Sequence, residues 1–317
     1  APTDWATADV VRLDFDSSGR AITGFAAWTN GRSKVLLNIS GNYGYIPGEH
    51  PDSTAANRVI GTADHIIQPY SAIVIEYDDT TDRIRVVSNA FNPSLLGFGN
   101  LRGHYYYASA ASATAGDWGY FAFATSGTGA ALGAAAATAT QAGGWQLSSG
   151  TTTTGACTIY FSKNLLNPAT FGSAHLIVSF YFRIPTLSDG TQTFTTSIGL
   201  VPSPSSVALN VNNSVVVKYS SGLNSGKFLA VSRDNAGAET TADTGITPSA
   251  DTGYVITVCI DKVMSEARYY IDGVFVARIT ANLPNAVATG QRAVIVKSAG
   301  TTSRTLVVAS LMFNSIF

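Results

Sequence analysis

The sequence predicts an all-β protein, a small N-terminal β-sandwich or barrel followed by a larger antiparallel jelly-roll sandwich. Three observations predict it. Short runs rich in Val, Ile, Thr, Phe and Tyr recur along the 317 residues, separated by turns rich in Gly, Asp, Ser and Asn. No amphipathic helix longer than a few turns can be drawn. Successive strands are joined by connections too short for crossover helices, so the sheets are expected to be antiparallel and closed as two packed layers.

The first block, residues 1–90, supplies VVRLDF (10–15), AITGFAAW (21–28), SKVLLNIS (33–40), NRVIG (57–61), DHIIQP (64–69), SAIVIEYD (71–78) and RIRVVSN (83–89). The pieces between them, among them DSSGR, SGNYG and DDTTDR, are turn sequences. Residues 91–112 change character: FNPSLLGFGNLRG is irregular, and HYYYASAASA is aromatic and then small. This stretch is expected to be a linker or an arm wrapped on a neighbour. Residues 127–143 are Ala-rich but broken by Gly and Thr, and are expected to be mostly coil with one short turn.

The second block, residues 113–317, contains the clearest strand, HLIVSFYFRI (175–184). Leu176, Val178, Phe180, Phe182 and Ile184 face one way; Ile177, Ser179, Tyr181 and Arg183 face the other. FTTSIGLV (194–201), SVVVKY (214–219), KFLAVSR (227–233), YVITVCI (254–260), RAVIVKS (292–298) and RTLVVASLMFN (304–314) complete the set with one hairpin, RYYIDGVFVARI (268–279). Asp272-Gly273 is its two-residue turn. Both faces of the hairpin are apolar, and only its open end, with Glu266, Arg268 and Arg278, is expected to meet water. Its back, with Tyr270 beside Phe275, is expected to be covered in the sandwich or by another subunit.

Charged residues make up 12% of the chain, against about 25% in an ordinary soluble protein, and the net charge is −1. The 19 basic and 20 acidic residues form no run. That balance argues against nucleic acid as a partner. No stretch reaches the roughly 20 apolar residues of a membrane span, and no secretory signal pattern opens the chain. Cys157 and Cys259 are the two cysteines, and a disulfide between them is the less favoured arrangement. Cys259 is expected to point away from Ile256, Val258 and Ile260, with Thr257 and Asp261. Four scattered histidines give no metal-ligand spacing, and no cofactor or metal site is predicted.

Most carboxylates have a turn explanation. Asp78, Asp79, Asp82, Asp189, Asp234 and Asp272 stand where Asp caps its own backbone. Glu76, Asp261 and Glu266 remain in strands, and Glu49, Asp52, Asp64 and Asp117 in less regular sequence, without a spacing that singles out a catalytic pair. No nucleophile elbow, phosphate loop or dinucleotide fingerprint is present. EYDDTTDR (76–83) and SRDNAGAE (232–239) lack the calcium-loop pattern. On these grounds no catalytic residue is assigned and the expectation is binding without enzymatic activity. Aromatic residues are the remaining signal: Tyr105, Tyr106, Tyr107, Trp118 and Trp145. Such rings stack on sugars or seal interfaces, and sealing is the favoured reading.

STAANRVIG (53–61) followed by SAIVIEYDDTTDRIRVV (71–87) resembles a small β-domain recurrent in bacteriophage tail-fibre and other virion proteins. Its pattern is S-x-A-A-N-R, an apolar strand, then Y-D-x-T-x-x-R-x-R-V-V. SSGTTTTGACTIYFS, SFYFRIPTLSDGTQTFTTSIGL, SGKFLAVSRDNAGAETTADTGI and YYIDGVFVARIT resemble the concanavalin-like, laminin-G-like jelly rolls of the same phage proteins. The resemblance implies a virion structural protein, assembled in the host cytoplasm: a fibre or spike that docks through the small domain and meets host-surface glycan through the jelly roll. A head fibre or capsid decoration protein is the alternative, and a tailspike enzyme that degrades polysaccharide comes third. Other virion proteins would be partners. The threefold habit of phage fibres, with the apolar strand faces, implies a homotrimer.

Overall fold

A computed structural model describes residue 5, residues 7–26 and 28, and residues 32–60, 64–81, 83–90, 101–107, 121–137, 143–161, 171, 175–202, 205–261, 266–285 and 287–316. The chain divides into two compact units, one built on Ala1–Leu101 and the other on Arg102–Asp272 with Val276–Phe317.

The first unit holds β1 (Val10–Leu13), β2 (Arg20–Ala21), β3 (Ser33–Asn38), β4 (Gly44–Ile46), β5 (Val59–Ile60), β6 (His65–Ile67), β7 (Ala72–Asp78) and β8 (Arg83–Ala90). They form one sheet in the order β1-β3-β7-β8-β5 and a second in the order β2-β4-β6. The chain changes sheet at each connection until β7, so strands that neighbour one another in a sheet are often separated by a strand of the other. Parallel pairs result: β1 with β3, β2 with β4, and β5 with β8. A visit to the facing sheet serves as the crossover that a helix would otherwise provide. In β7 the pattern alternates, and Ile73, Ile75 and Tyr77 turn inward to a core with Trp5, Phe25, Trp28, Leu36 and Ile84.

The second unit holds β9 (Leu101–Tyr107), β10 (Phe121–Ser126), β11 (Ala130–Ala135), β12 (Gly144–Ser149), β13 (Ala156–Phe161), β14 (His175–Arg183), β15 (Phe194–Val201) and β16 (Ser214–Tyr219). It continues with β17 (Leu229–Arg233), β18 (Glu239–Asp243), β19 (Gly253–Ile260), β20 (Ala267–Ile271), β21 (Val274–Ile279), β22 (Gly290–Lys297) and β23 (Thr305–Ile316). A seven-stranded sheet runs β10-β13-β22-β15-β16-β17-β18. The facing eight-stranded sheet runs β11-β12-β23-β14-β19-β20-β21, with β9 also paired to β23. Leu176, Val178, Phe180 and Phe182 of β14 meet Phe194, Ile198, Val215, Phe228 and Ile295 of the other sheet in one core, as the alternation required. Phe228 packs edge-on against both Phe182 and Tyr254, which are tilted to each other by 34°, with centroids 5.3–6.1 Å apart.

Two stretches depart from their sequence reading. Within the span read as a linker, Leu101–Tyr107 form a strand on β23. The Ala-rich stretch is not mostly coil, since Ala130–Ala135 pair with β12 from Ala130↔Ser149 to Ala135↔Gly144. A sheet edge accepts such poor strand formers because the ladder is made by the backbone.

The hairpin turn is as expected, with positive φ at Asp272 (49°) and Gly273 (80°). Its open end is a correction: Arg268 is 0% and Glu266 4% exposed. The Glu266 carboxylate lies 3.1 Å from Arg268 Nε and 2.5 Å from Arg278 Nε, and that pairing is what permits burial. Tyr270 is likewise 0% exposed within a single chain. Val274, at the tip, is exposed. Cys157 and Cys259 stand in opposite sheets and are not joined by a disulfide. Cys157 faces the core; Cys259, paired across from Ile177, faces away from it.

Candidate functional site

Strand alternation sets the site. In β22 Ala293 and Ile295 point into the core, so Arg292 and Val294 point out. In β15 Phe194, Ile198 and Leu200 point in, which leaves Ser197, Gly199 and Val201 outside; in β16 the outward residues are Ser214, Val216 and Lys218. Register then lines up Tyr160, Arg292, Gly199, Val216, Val231 and Thr241 in one row across the outer face of the seven-stranded sheet. Ser197 and Lys218 stand side by side in the next row.

The connection between β15 and β16 crosses this face. Val211 packs there on Val201, Val216 and Val231, a small second core on the back of the sheet. Arg292 Nη1 holds the connection by donating to the carbonyls of Ser206 (2.9 Å) and Ala208 (2.8 Å). Its Nε and Nη2 have no hydrogen-bond partner among the described residues, although the side chain is only 1% exposed. Burial lowers the pKa of this guanidinium to about 10.

Lys218 Nζ donates to Asn210 Oδ1 at 2.9 Å and to Glu239 Oε2 at 3.2 Å. The Arg233 guanidinium lies 3.5 Å from the same carboxylate oxygen, and Arg233 Nε is unpartnered among the described residues. Burial pulls the Lys218 ammonium below its ordinary pKa; Glu239 opposes this, while Arg233 and Arg292 add to it. Two cations therefore share one carboxylate, with Arg292 close enough to act on Lys218. Ser197 Oγ, also buried and unpartnered, lies beside them. Gly199, at φ 153°, adds no side chain to the row next to Arg292, and a Cβ there would lie 2.3 Å from the Val215 carbonyl oxygen. Such a face can hold an anionic or hydroxyl-rich group through charged, directional donors.

Of the aromatic residues singled out from sequence, Trp145 does not lie here. Trp145 is 7% exposed and belongs to the sandwich core, so its ring is packing and not a surface platform. Tyr105, Tyr106 and Tyr107 lie on β9, and Trp118 lies outside the described residues. The residues that do meet are Lys218, Arg233, Glu239 and Arg292, and the signal overlooked was a buried-strand cation: Lys218 in SVVVKY and Arg292 in RAVIVKS. The turn carboxylates behave as their sequences indicate. Asp189 accepts from the backbone of Thr191 and Gln192, Asp234 from Ala238, and Asp272 from Val255. Among the described residues no three His, Cys, Asp or Glu side chains group to hold a metal ion, and no helix is long and apolar enough to cross a membrane.

The second unit is a jelly-roll sandwich: two antiparallel sheets, one core, and a polar cluster on the back of the seven-stranded sheet. The chain belongs to the family described as SO2946-like, C-terminal domain, whose model matches residues 140–308. No curated protein matches it. Among solved structures, the Emp47p carbohydrate recognition domain is similar at 9% identity and TM-score 0.46, over 72% of this chain and 100% of that one. Endo-beta-1,4-glucuronan lyase from the fungus Trichoderma reesei is similar at 11% identity and TM-score 0.44, over 66% and 94%. Endo-1,3-beta-glucanase from Streptomyces sioyaensis is similar at 14% identity and TM-score 0.44, over 72% and 99%. Likenesses at this level concern the fold alone. They nevertheless correct the expectation that enzymatic activity is absent. That expectation rested on missing nucleophile and phosphate motifs, and a lyase and a glucanase stand among the similar structures. The fold does not separate binders from enzymes.

Proposed function

We propose that the protein binds carbohydrate on the outer face of the seven-stranded sheet, as part of a bacteriophage fibre or spike. The observation that carries the binding reading is the polar cluster itself. Two arginines, a lysine, a carboxylate and the amide of Asn210 converge on one face of the sheet, with the half-buried Tyr160 ring next in register to Arg292. Sugars are held by such directional polar groups beside an aromatic face. The virion setting and its location on the particle are supported by the resemblance of STAANRVIG and SAIVIEYDDTTDRIRVV to phage fibre domains. The homotrimer rests on the same resemblance and on the low charge, because Tyr270 on the back of the 268–279 hairpin is already buried within one chain and Phe275 partly so.

The test is titration of purified protein with host-surface polysaccharide, with polymer length followed in the same tubes to separate binding from cleavage. Tyr160→Ala is expected to weaken binding by about tenfold, roughly 1.4 kcal/mol, with the fold intact. Absence of binding to every host polysaccharide overturns the reading. Antibody labelling of particles tests the virion setting. Sedimentation is expected to give three times the 33.1 kDa chain mass.

A further inference from the structure

The cluster on the outer face has more positive charge than it can use internally. Lys218 and Arg233 share the single Glu239 carboxylate, at 3.2 and 3.5 Å. Arg292 spends one terminal nitrogen on two loop carbonyls and leaves Nε and Nη2 without partners among the described residues, at 1% exposure. A buried guanidinium edge with two idle donors is costly unless something occupies it for part of the protein's working life. The idle pair is the fork that a carboxylate accepts in bidentate fashion. Arg233, at 20% side-chain exposure, stands at the open rim with its own Nε idle. Gly199 adds no side chain to the row beside Arg292. The charges acting on Lys218 confirm that the three cations form one field: Glu239 opposes, and Arg233 and Arg292 both reinforce, the effect of burial.

We propose that this site selects acidic carbohydrate, a sugar unit whose carboxylate enters the field of Arg233, Lys218 and Arg292. The inference rests on the carbohydrate reading above and narrows it to a substrate class. Neutral sugar would leave the positive excess of the cluster untouched, and a carboxylate halves it. Glu239 is then the internal competitor that holds Lys218 and Arg233 while the site is empty.

The test compares a polyuronate oligosaccharide with the same oligosaccharide after reduction of its carboxyl groups. Calorimetry with the full chain is expected to show the acidic form bound about tenfold or more tighter, with the advantage falling as salt is raised. Arg233→Gln, a rim substitution, is expected to erase most of that advantage by weakening the acidic form far more than the reduced form. Glu239→Gln removes the competitor and is expected to raise affinity for the acidic form several-fold. Arg292→Gln should act like Arg233→Gln where it folds; if it does not fold, the Arg233 and Glu239 variants decide. Equal affinity for the two forms, or an acid preference indifferent to both Arg233→Gln and Glu239→Gln, overturns the inference but spares carbohydrate binding. Equal occupancy by sodium sulfate at matched ionic strength also overturns it, as a site for any anion. Failure of both oligosaccharides to bind, alongside failure of every host polysaccharide, removes the parent reading as well.

Discussion

Lys34 illustrates how a single residue can fasten a segment. It is 0% exposed in the first unit, and its Nζ donates to the carbonyls of Trp5 (2.6 Å) and Ala8 (2.5 Å). It also lies 5.0 and 5.5 Å from the Trp5 and Trp28 ring centroids. Lys34→Ala leaves two carbonyls orphaned and a cage of rings unfilled, so denaturant unfolding should show a loss of about 2–4 kcal/mol. His65 makes stability depend on pH. Burial holds its pKa below the ordinary 6.5, with Asp64 opposing. The unfolded chain therefore takes the proton more readily. The contribution is fully present above pH 6.5 and is lost as pH falls through and below that value toward the folded pKa. Unfolding midpoints measured at pH 7.5 and 5.5 should differ in that direction, and His65→Gln should shrink the difference. Cys157 is buried with its pKa raised to about 12, chiefly by desolvation, so it is expected to resist alkylation at pH 8 until the protein is denatured.

At the scale of elements, the two faces of the sandwich were legible in sequence wherever alternation was strict. HLIVSFYFRI sorted its own side chains, and Asp272-Gly273 announced the turn with both residues at positive φ. What could not be read was partnership. Nothing in AALGAA says that a strand exists, because its ladder to β12 is made of backbone. Trp145 looked like a surface aromatic because a low-complexity stretch precedes it, yet register carries its ring into the core. The cation cluster was hidden for a related reason. Lys218, Arg233 and Arg292 are 74 residues apart at the extremes (292 minus 218), and only the strand order β22-β15-β16-β17 brings them onto one face. The two sheets are also tied by a hydrogen bond: Tyr269 Oη on β20 donates to the Val231 carbonyl on β17 at 2.8 Å, with the tyrosine 0% exposed. Tyr269→Phe keeps the ring and removes that bond between the sheets. A loss of about 1–2 kcal/mol is expected by thermal or denaturant unfolding.

At the scale of the whole molecule, the two units have separate cores, one gathered around Trp5, Trp28 and Ile75 and the other around Phe180, Phe182 and Phe228. The outline of a small β-domain before a larger jelly roll was readable from strand spacing. The interleaved topology of the first unit was not, since it depends on which sheet each short strand joins. The second unit is dominated by long-range pairing, with β9, near its start, lying on β23 at its far end.

That arrangement governs the order in which the protein can be made. β23 lies between β12 and β14, in register with Trp145–Ser148 on one side and His175–Arg183 on the other. While a ribosome is still translating residues before Thr305, those two strands have no shared neighbour. The growing chain must carry two bare sheet edges, a state prone to misassociation. Closure is thus postponed until the twelve residues of β23 have emerged. A chain stopped after Ser303 should remain protease-sensitive in its second unit. If it instead reaches native-like resistance, β23 is a late decoration and not the keystone of synthesis.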